Sequence, residues 1–137
     1  LTYNMVIKSK KILSEISPGE LLDKISILEI KLEKIKDKAS LKEINKEYKI
    51  LKETQNLNIE ITEKIKHLFN DIKNVNQNLW YIEDKLRICE KNKDFGKTFI
   101  QLARDVYFNN DKRAKIKFEI NKMLRSSIKE IKQYVKY

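Results

Sequence analysis

Cysteine, proline, glycine and histidine are nearly missing from these 137 residues, which hold one cysteine, one proline, two glycines and one histidine. Each scarcity excludes something. A lone Cys89 forms no internal disulfide and reads as a small core residue in a reducing cytoplasm. So little proline and glycine disfavours a turn-rich β fold and favours long helices. The one histidine, His67, has Lys64 three residues before it, so no Glu-x-x-His pair exists, and there is no cysteine pair. No metal site and no cofactor are expected, and His67 reads as a surface residue. Gly19 and Gly96 stand alone, so no glycine loop cradles a phosphate. No apolar run reaches the roughly 18 residues of a membrane span. The opening "LTYNMVIKSKKIL" lacks the long apolar core and small-residue cleavage site of a signal peptide. Leu1 is not a start residue, and the four residues before Met5 read as an upstream extension.

Charge, by contrast, is abundant: 36% of residues are charged and the net charge is +10. The length fits one domain with one core. The positive surplus is uneven. Residues 1–38 carry +2, 39–75 carry +1 and 76–111 carry none, whereas residues 112–137 hold nine bases against two acids. Basicity therefore belongs to the last segment.

Residues 1–16 read as an N-terminal extension and the first helix as 17–38. Ser17 is placed to cap it, Pro18 sits at the first helical position, and Glu20 is spaced to close a capping box. Leu21, Ile25, Leu28, Leu32 and Ile35 form a heptad-like seam, while Ile27 and Ile30 fall on nearly the opposite side. A helix apolar on two sides is a central helix or one that also meets another subunit. A second capping box, Ser40 to Glu43, follows at once and implies an antiparallel hairpin. The next pattern runs over residues 40–91. An unbroken helix of that length would span roughly 75 Å, so a break or kink is expected near 54–60. A short helix over 95–108, a turn at "FNND" capped by Asn109 or Asn110, and a basic last helix over 111–133 complete the chain.

Two polar patterns stand out. Lys115, Lys122, Lys129 and Lys136 recur every seven residues, with Arg125 and Lys132 beside them, opposite Ile116, Ile120, Leu124 and Ile131. This stripe reads as a solvated outer face or as an electrostatic surface for nucleic acid or anionic lipid. The other pattern is in the arginines. Only Arg87, Arg104, Arg113 and Arg125 occur in this lysine-rich chain, which favours sites that need a planar fork of donors. Arg87 follows Glu83 by four residues, and Arg104 shares a helix side with Tyr107. Arg113 and Lys117 fall in line with Ile120 and Leu124, so two cations face the core and need partners. Acids of the 80–90 helix, Glu83 first and Glu90 next, are the expected partners, with Arg104 and Asp111 nearby. The cluster reads as a buried ion network fixing helix register, or as a pocket whose surplus positive charge holds an anion and whose wall is Trp80.

The segments "SPGELLDKISILEIKLEKI", "NLWYIEDKLRICE" and "NNDKRAKIKFEIN" together resemble a family of short bacterial proteins known as a domain of unknown function. The resemblance covers most of residues 12–137. Its matching polar positions are Glu20, Asp23 and Lys24, then Trp80, Glu83, Asp84 and Arg87, then Asn110, Asp111, Arg113, Ala114 and Lys117. It implies no activity and points to gene neighbourhoods of surface polysaccharide synthesis.

The expected fold is all-α, an antiparallel bundle of four or five helices with a long helical hairpin. The expected function is a small cytoplasmic binding or scaffold protein, self-associating as a dimer through Ile27 and Ile30, with the polar cluster taking a small anion or a protein partner. An enzyme on a phosphorylated or carboxylated metabolite is the alternative and should gather Arg87, Arg104 and Arg113 in one pocket. A nucleic-acid accessory role for the lysine stripe is the third.

Overall fold

A computed structural model describes residues 7–137, and the stretch before Met5 lies outside them. Four helices follow one another: α1 (Pro18–Lys34), α2 (Lys38–Asn58), α3 (Glu63–Lys91) and α4 (Lys97–Met123). No strand occurs among the described residues, and none of the described helices is long and apolar enough to cross a membrane.

The helix ends follow local chemistry. Ser17 accepts the Glu20 amide at 3.2 Å, but the Glu20 carboxylate does not return to close the box and instead reaches Lys117 on α4. The second helix starts earlier than its sequence suggests. Asp37 is its cap and accepts both the amide and the hydroxyl of Ser40, at 2.9 and 2.7 Å, so Ser40 is an interior residue. The break in the long pattern falls at residues 59–62, where Thr62 caps α3 by accepting the Ile65 amide at 3.2 Å.

The larger difference lies at the C-terminal end. The "FNND" segment is helical, and α4 is one helix from Lys97 to Met123 where two had been expected. Asn109 does not cap; its side-chain amide donates to the Asp105 carbonyl one turn back, at 2.8 Å. Packing of α4 along α3 and α1 overrides the weak helix propensity of three consecutive turn-formers. The helix then stops ten residues before the expected end at 133. Arg125 takes a left-handed conformation with φ of 51°, Ser126 donates its amide to the Asn121 carbonyl, and the Ser126 hydroxyl bonds the Ile128 backbone. Local hydroxyl bonds of this kind compete with helix propagation. Ile131, expected on the apolar face, is exposed.

Helix α1 is the centre of the assembly. It touches each of the other three, α3 and α4 pack along one another, and α2 meets α1 alone. Leu22, Ile65 and Ile120 form the buried core where α1, α3 and α4 meet, with Ile59, Leu68, Phe69, Ile116 and Leu124 around them. The second apolar side of α1 is thus met within the chain: Ile30 is fully buried and Ile27 half-buried. The chain's own helices cover Ile30, whereas Ile27 borders a cleft. On the other flank, Lys73 of α3 binds Glu29 and Glu33 of α1 at 3.1 and 2.9 Å, and Tyr48 of α2 donates to Glu29 at 3.2 Å. The Lys73 ammonium is held above its ordinary range, chiefly by its bond to Glu33.

Candidate functional site

The polar centre lies where α1 crosses α3 and α4. Asp23, fully buried on α1, receives the Arg113 guanidinium from α4. Nε lies 2.9 Å from Oδ1, and Nη2 lies 2.5 Å from Oδ2. A fork of two donors on one carboxylate is the geometry that arginine supplies and lysine does not. From α3, the Asn76 amide donates to Asp23 Oδ1 and to Ser26 Oγ, each at 2.8 Å. The Ser26 hydroxyl in turn donates to the Asp23 carbonyl at 2.7 Å. One turn along α4, Lys117 binds Glu20 at 2.7 Å and Glu130 of the C-terminal segment at 2.9 Å, with Asp23 at 3.8 Å.

These contacts set the charges. The hydrogen bond to Asp23 is the main reason the Arg113 guanidinium is held above its ordinary range. Burial works against charge on Lys117, but the bonds to Glu20 and Glu130 outweigh it and raise the ammonium. The same bond from Lys117 lowers the Glu130 carboxyl. Close approach of the backbones makes the crossing possible. Gly19 donates its amide to Asn121 Oδ1 at 2.7 Å, and a Cβ at Gly19 would stand 2.6 Å from the Lys117 carbonyl oxygen.

Beside this network opens a cleft of about 450 Å³. Ile27, Ile30, Leu79 and Trp80 give its apolar lining, and Asn76, Glu83, Asp84, Asn110 and Arg113 give its polar one. The sequence model of a family of unknown function, DUF6165, matches residues 12–136. The chain belongs to this family. No curated protein and no solved structure matches it. The DUF6165 match takes in all four helices, the ion network and the cleft.

In this DUF6165 chain the partners of the core-facing cations differ from those expected. Arg113 and Lys117 do face inward, but they meet Asp23 and Glu20 of α1, not Glu83 or Glu90 of α3. Glu83 instead holds Arg87 along its own helix, and Glu90 holds Lys93 at 3.8 Å. Arg113 and Lys117 are thus paired with three carboxylates, Asp23, Glu20 and Glu130, and the more exposed Lys24 and Lys132 approach Glu20 and Glu130 from outside at 3.9 and 3.6 Å.

The other expected residues scatter. Lys24 is exposed, 3.9 Å from Glu20. Arg87 lies in a separate groove with Leu86, Phe95 and Phe99. Arg104 is exposed, its guanidinium 5.8 Å from the Phe108 ring centre. Tyr107 packs at a tilt against Phe108 and edge-on against Tyr137, and Asp111 accepts the Tyr137 hydroxyl. The three arginines do not share a pocket. The heptad stripe does not persist either: Lys115 and Lys122 lie on α4, whereas Lys129, Lys132 and Lys136 belong to the irregular tail. Among the described residues no group of three or more His, Cys, Asp or Glu side chains is placed to hold a metal. A larger hollow of about 980 Å³ lies between α4 and the tail. Much of its wall is tail residues Tyr134, Val135 and Tyr137, themselves mostly exposed.

Sequence reasoning missed Ser26, Asn76, Asn121 and Glu130. For Asn76 a signal existed: it stands four residues after Ile72 and three before Leu79, a polar residue interrupting an apolar stripe. Glu130 carried none, because the expected helix over 111–133 does not fold residue 130 back onto Lys117.

Proposed function

We propose that the chain is a small cytoplasmic binding or scaffold protein whose ligand or partner sits in the Trp80 cleft, with the ion network as the clamp that shapes it. The observation that carries this reading is convergence. Three helices distant in sequence bring one tryptophan, two asparagines, two carboxylates and an arginine around a single concavity. Apolar walls with a few fixed polar groups are the usual make-up of a ligand site. The network next door supplies rigidity, since Arg113 and Asn76 are each locked by Asp23. The scattered arginines remove the feature that favoured an enzyme on phosphorylated or carboxylated metabolites. The buried Cys89 thiol fits a reducing compartment.

The test is a chemically mixed panel of small fragments, followed by amide and indole NMR of the full chain. The reading expects hits that shift the Trp80 indole and the Asn76 and Asn110 side-chain amides together. Hits that all map elsewhere, or none from a broad panel, overturn it.

A further inference from the structure

We infer that the Trp80 cleft takes an organic cation, a primary ammonium or guanidinium carried on an apolar stem. The inference rests on the cleft being a binding site and names the chemistry of what enters it. Its starting point is Asn76, whose side chain is only 5% exposed. Its amide nitrogen is engaged twice, by Asp23 Oδ1 and Ser26 Oγ. Flipping the amide would set its oxygen against the Asp23 carboxylate, so the orientation is fixed. The remaining atom, Oδ1, accepts no hydrogen bond among the described residues. Asn76 borders the cleft, so a buried residue offers the cleft a rigid, unused acceptor.

Its surroundings are acceptors as well. Glu83 and Asp84 lie about two turns further along α3, on the edge of the same cleft. Glu83 is partly engaged by Arg87, and Asp84 makes no ion pair among the described residues. Among the described residues the only cation lining the cleft is Arg113, and Asp23 already takes its Nε and Nη2. An incoming anion would meet Glu83 and Asp84 and find the guanidinium neutralised. An ammonium, with three donors and no acceptor, matches the Asn76 acceptor, and the two carboxylates further along α3 add attraction at the cleft edge. Trp80, Ile27, Ile30 and Leu79 give the stem an apolar bed and the charge an aromatic face. A free polyamine and a lysine side chain present this same chemistry.

The test titrates the full chain at neutral pH and low ionic strength with spermidine, with Nα-acetyl-lysine methylamide, and with citrate and inorganic phosphate as opposites. Trp80, the single tryptophan, reports by fluorescence, and the Asn76 side-chain amide reports by NMR. Both cations, or one of them, should give a saturable response at both reporters, and which one binds more tightly separates the polyamine source from the peptide source. Asp84→Asn should weaken binding up to about fivefold, and Glu83→Gln with Asp84→Asn about tenfold or more. Both positions lie outside the ion network, so these variants keep the fold. Saturation by citrate or phosphate but not by cations overturns the cation inference while leaving the cleft as a binding site. A cation response undiminished in the double variant overturns it too, as does silence at both reporters; the fragment panel then decides the cleft reading separately.

Discussion

The crossing of α1 with α3 and α4, and the far half of the α3–α4 hairpin, contain the same chemical pair in opposite settings. At the crossing, Arg113 holds Asp23, and the two side chains are 29% and 1% exposed. In the hairpin, Arg87 holds Glu83, and the values are 72% and 46%. The cause is what covers each pair. Three helices meet around Asp23, whereas Arg87 lies in the groove between α3 and α4, a region where Ile88, Phe95 and Ile100 stay exposed while Cys89 is buried. An ion pair therefore owes its energetic weight to what covers it. Buried at the helix crossing the pair is a structural element; in the open groove between α3 and α4 it is a surface feature.

The largest test of this contrast is Arg113→Ala. It leaves the buried Asp23 carboxylate with the Asn76 amide and Lys117 at 3.8 Å as its remaining support. The expected loss is about 3–5 kcal/mol in chemical denaturation. A loss below about 1 kcal/mol would erase the difference between the two regions. Glu83→Gln should leave the Arg113 pair intact, because its carboxylate is not the partner.

Next in size is Gly19→Ala. The added methyl would stand 2.6 Å from the Lys117 carbonyl oxygen and 2.8 Å from Asn121 Oδ1, so α1 and α4 have to separate. The cost of overpacking, about 1–3 kcal/mol, exceeds what alanine returns in helix propensity. A lower melting temperature is expected, and an unchanged one would mean the crossing is looser than its distances imply.

A smaller effect concerns pH. Lys117 lowers the Glu130 carboxyl below its ordinary 4.5. A depressed carboxyl contributes stability that is present above the unfolded value and is lost as pH falls through the folded one. Unfolding curves should therefore weaken below about pH 4.5, and Glu130→Gln should flatten that limb modestly, since Glu130 is exposed. The raised Lys117 and Arg113 act in the other direction: their contribution is complete below the ordinary 10.5 of lysine and is lost only on the far alkaline side. A stability profile that bends near neutrality would contradict this.

The smallest effect belongs to Arg87→Ala, expected to cost less than about 1 kcal/mol. If it matched Arg113→Ala, the exposed hairpin pair would be as weighty as the buried one, and burial would not be the deciding variable.

Parts of this architecture were legible in the residues. The helical spacing of Leu21, Ile25 and Leu28 marks a helix wherever it packs, and two apolar sides on one helix leave open whether the second meets this chain or another subunit. The inward placement of Arg113 and Lys117 also follows from phase, because Ile120 and Leu124 fix which way α4 turns. What was not legible is the partner across the gap. Glu83 and Asp23 are both carboxylates at plausible helical positions, and nothing in a one-dimensional pattern ranks them. The end of α4 was misjudged for a related reason: apolar residues recur at helical spacing through Ile131, but local serine bonds stop the helix at Met123.

Sequence alone determined that this chain is helical, that α1 is apolar on two sides, and that two cations point inward, because these depend on residue type and local period. Tertiary structure decided that Asp23 takes Arg113, that Asn76 keeps an open acceptor, and that Trp80 lines a cleft with Arg113. Those outcomes depend on the register and crossing of helices up to ninety residues apart, and register is set by packing at contacts such as Gly19 against Asn121, which no local pattern encodes.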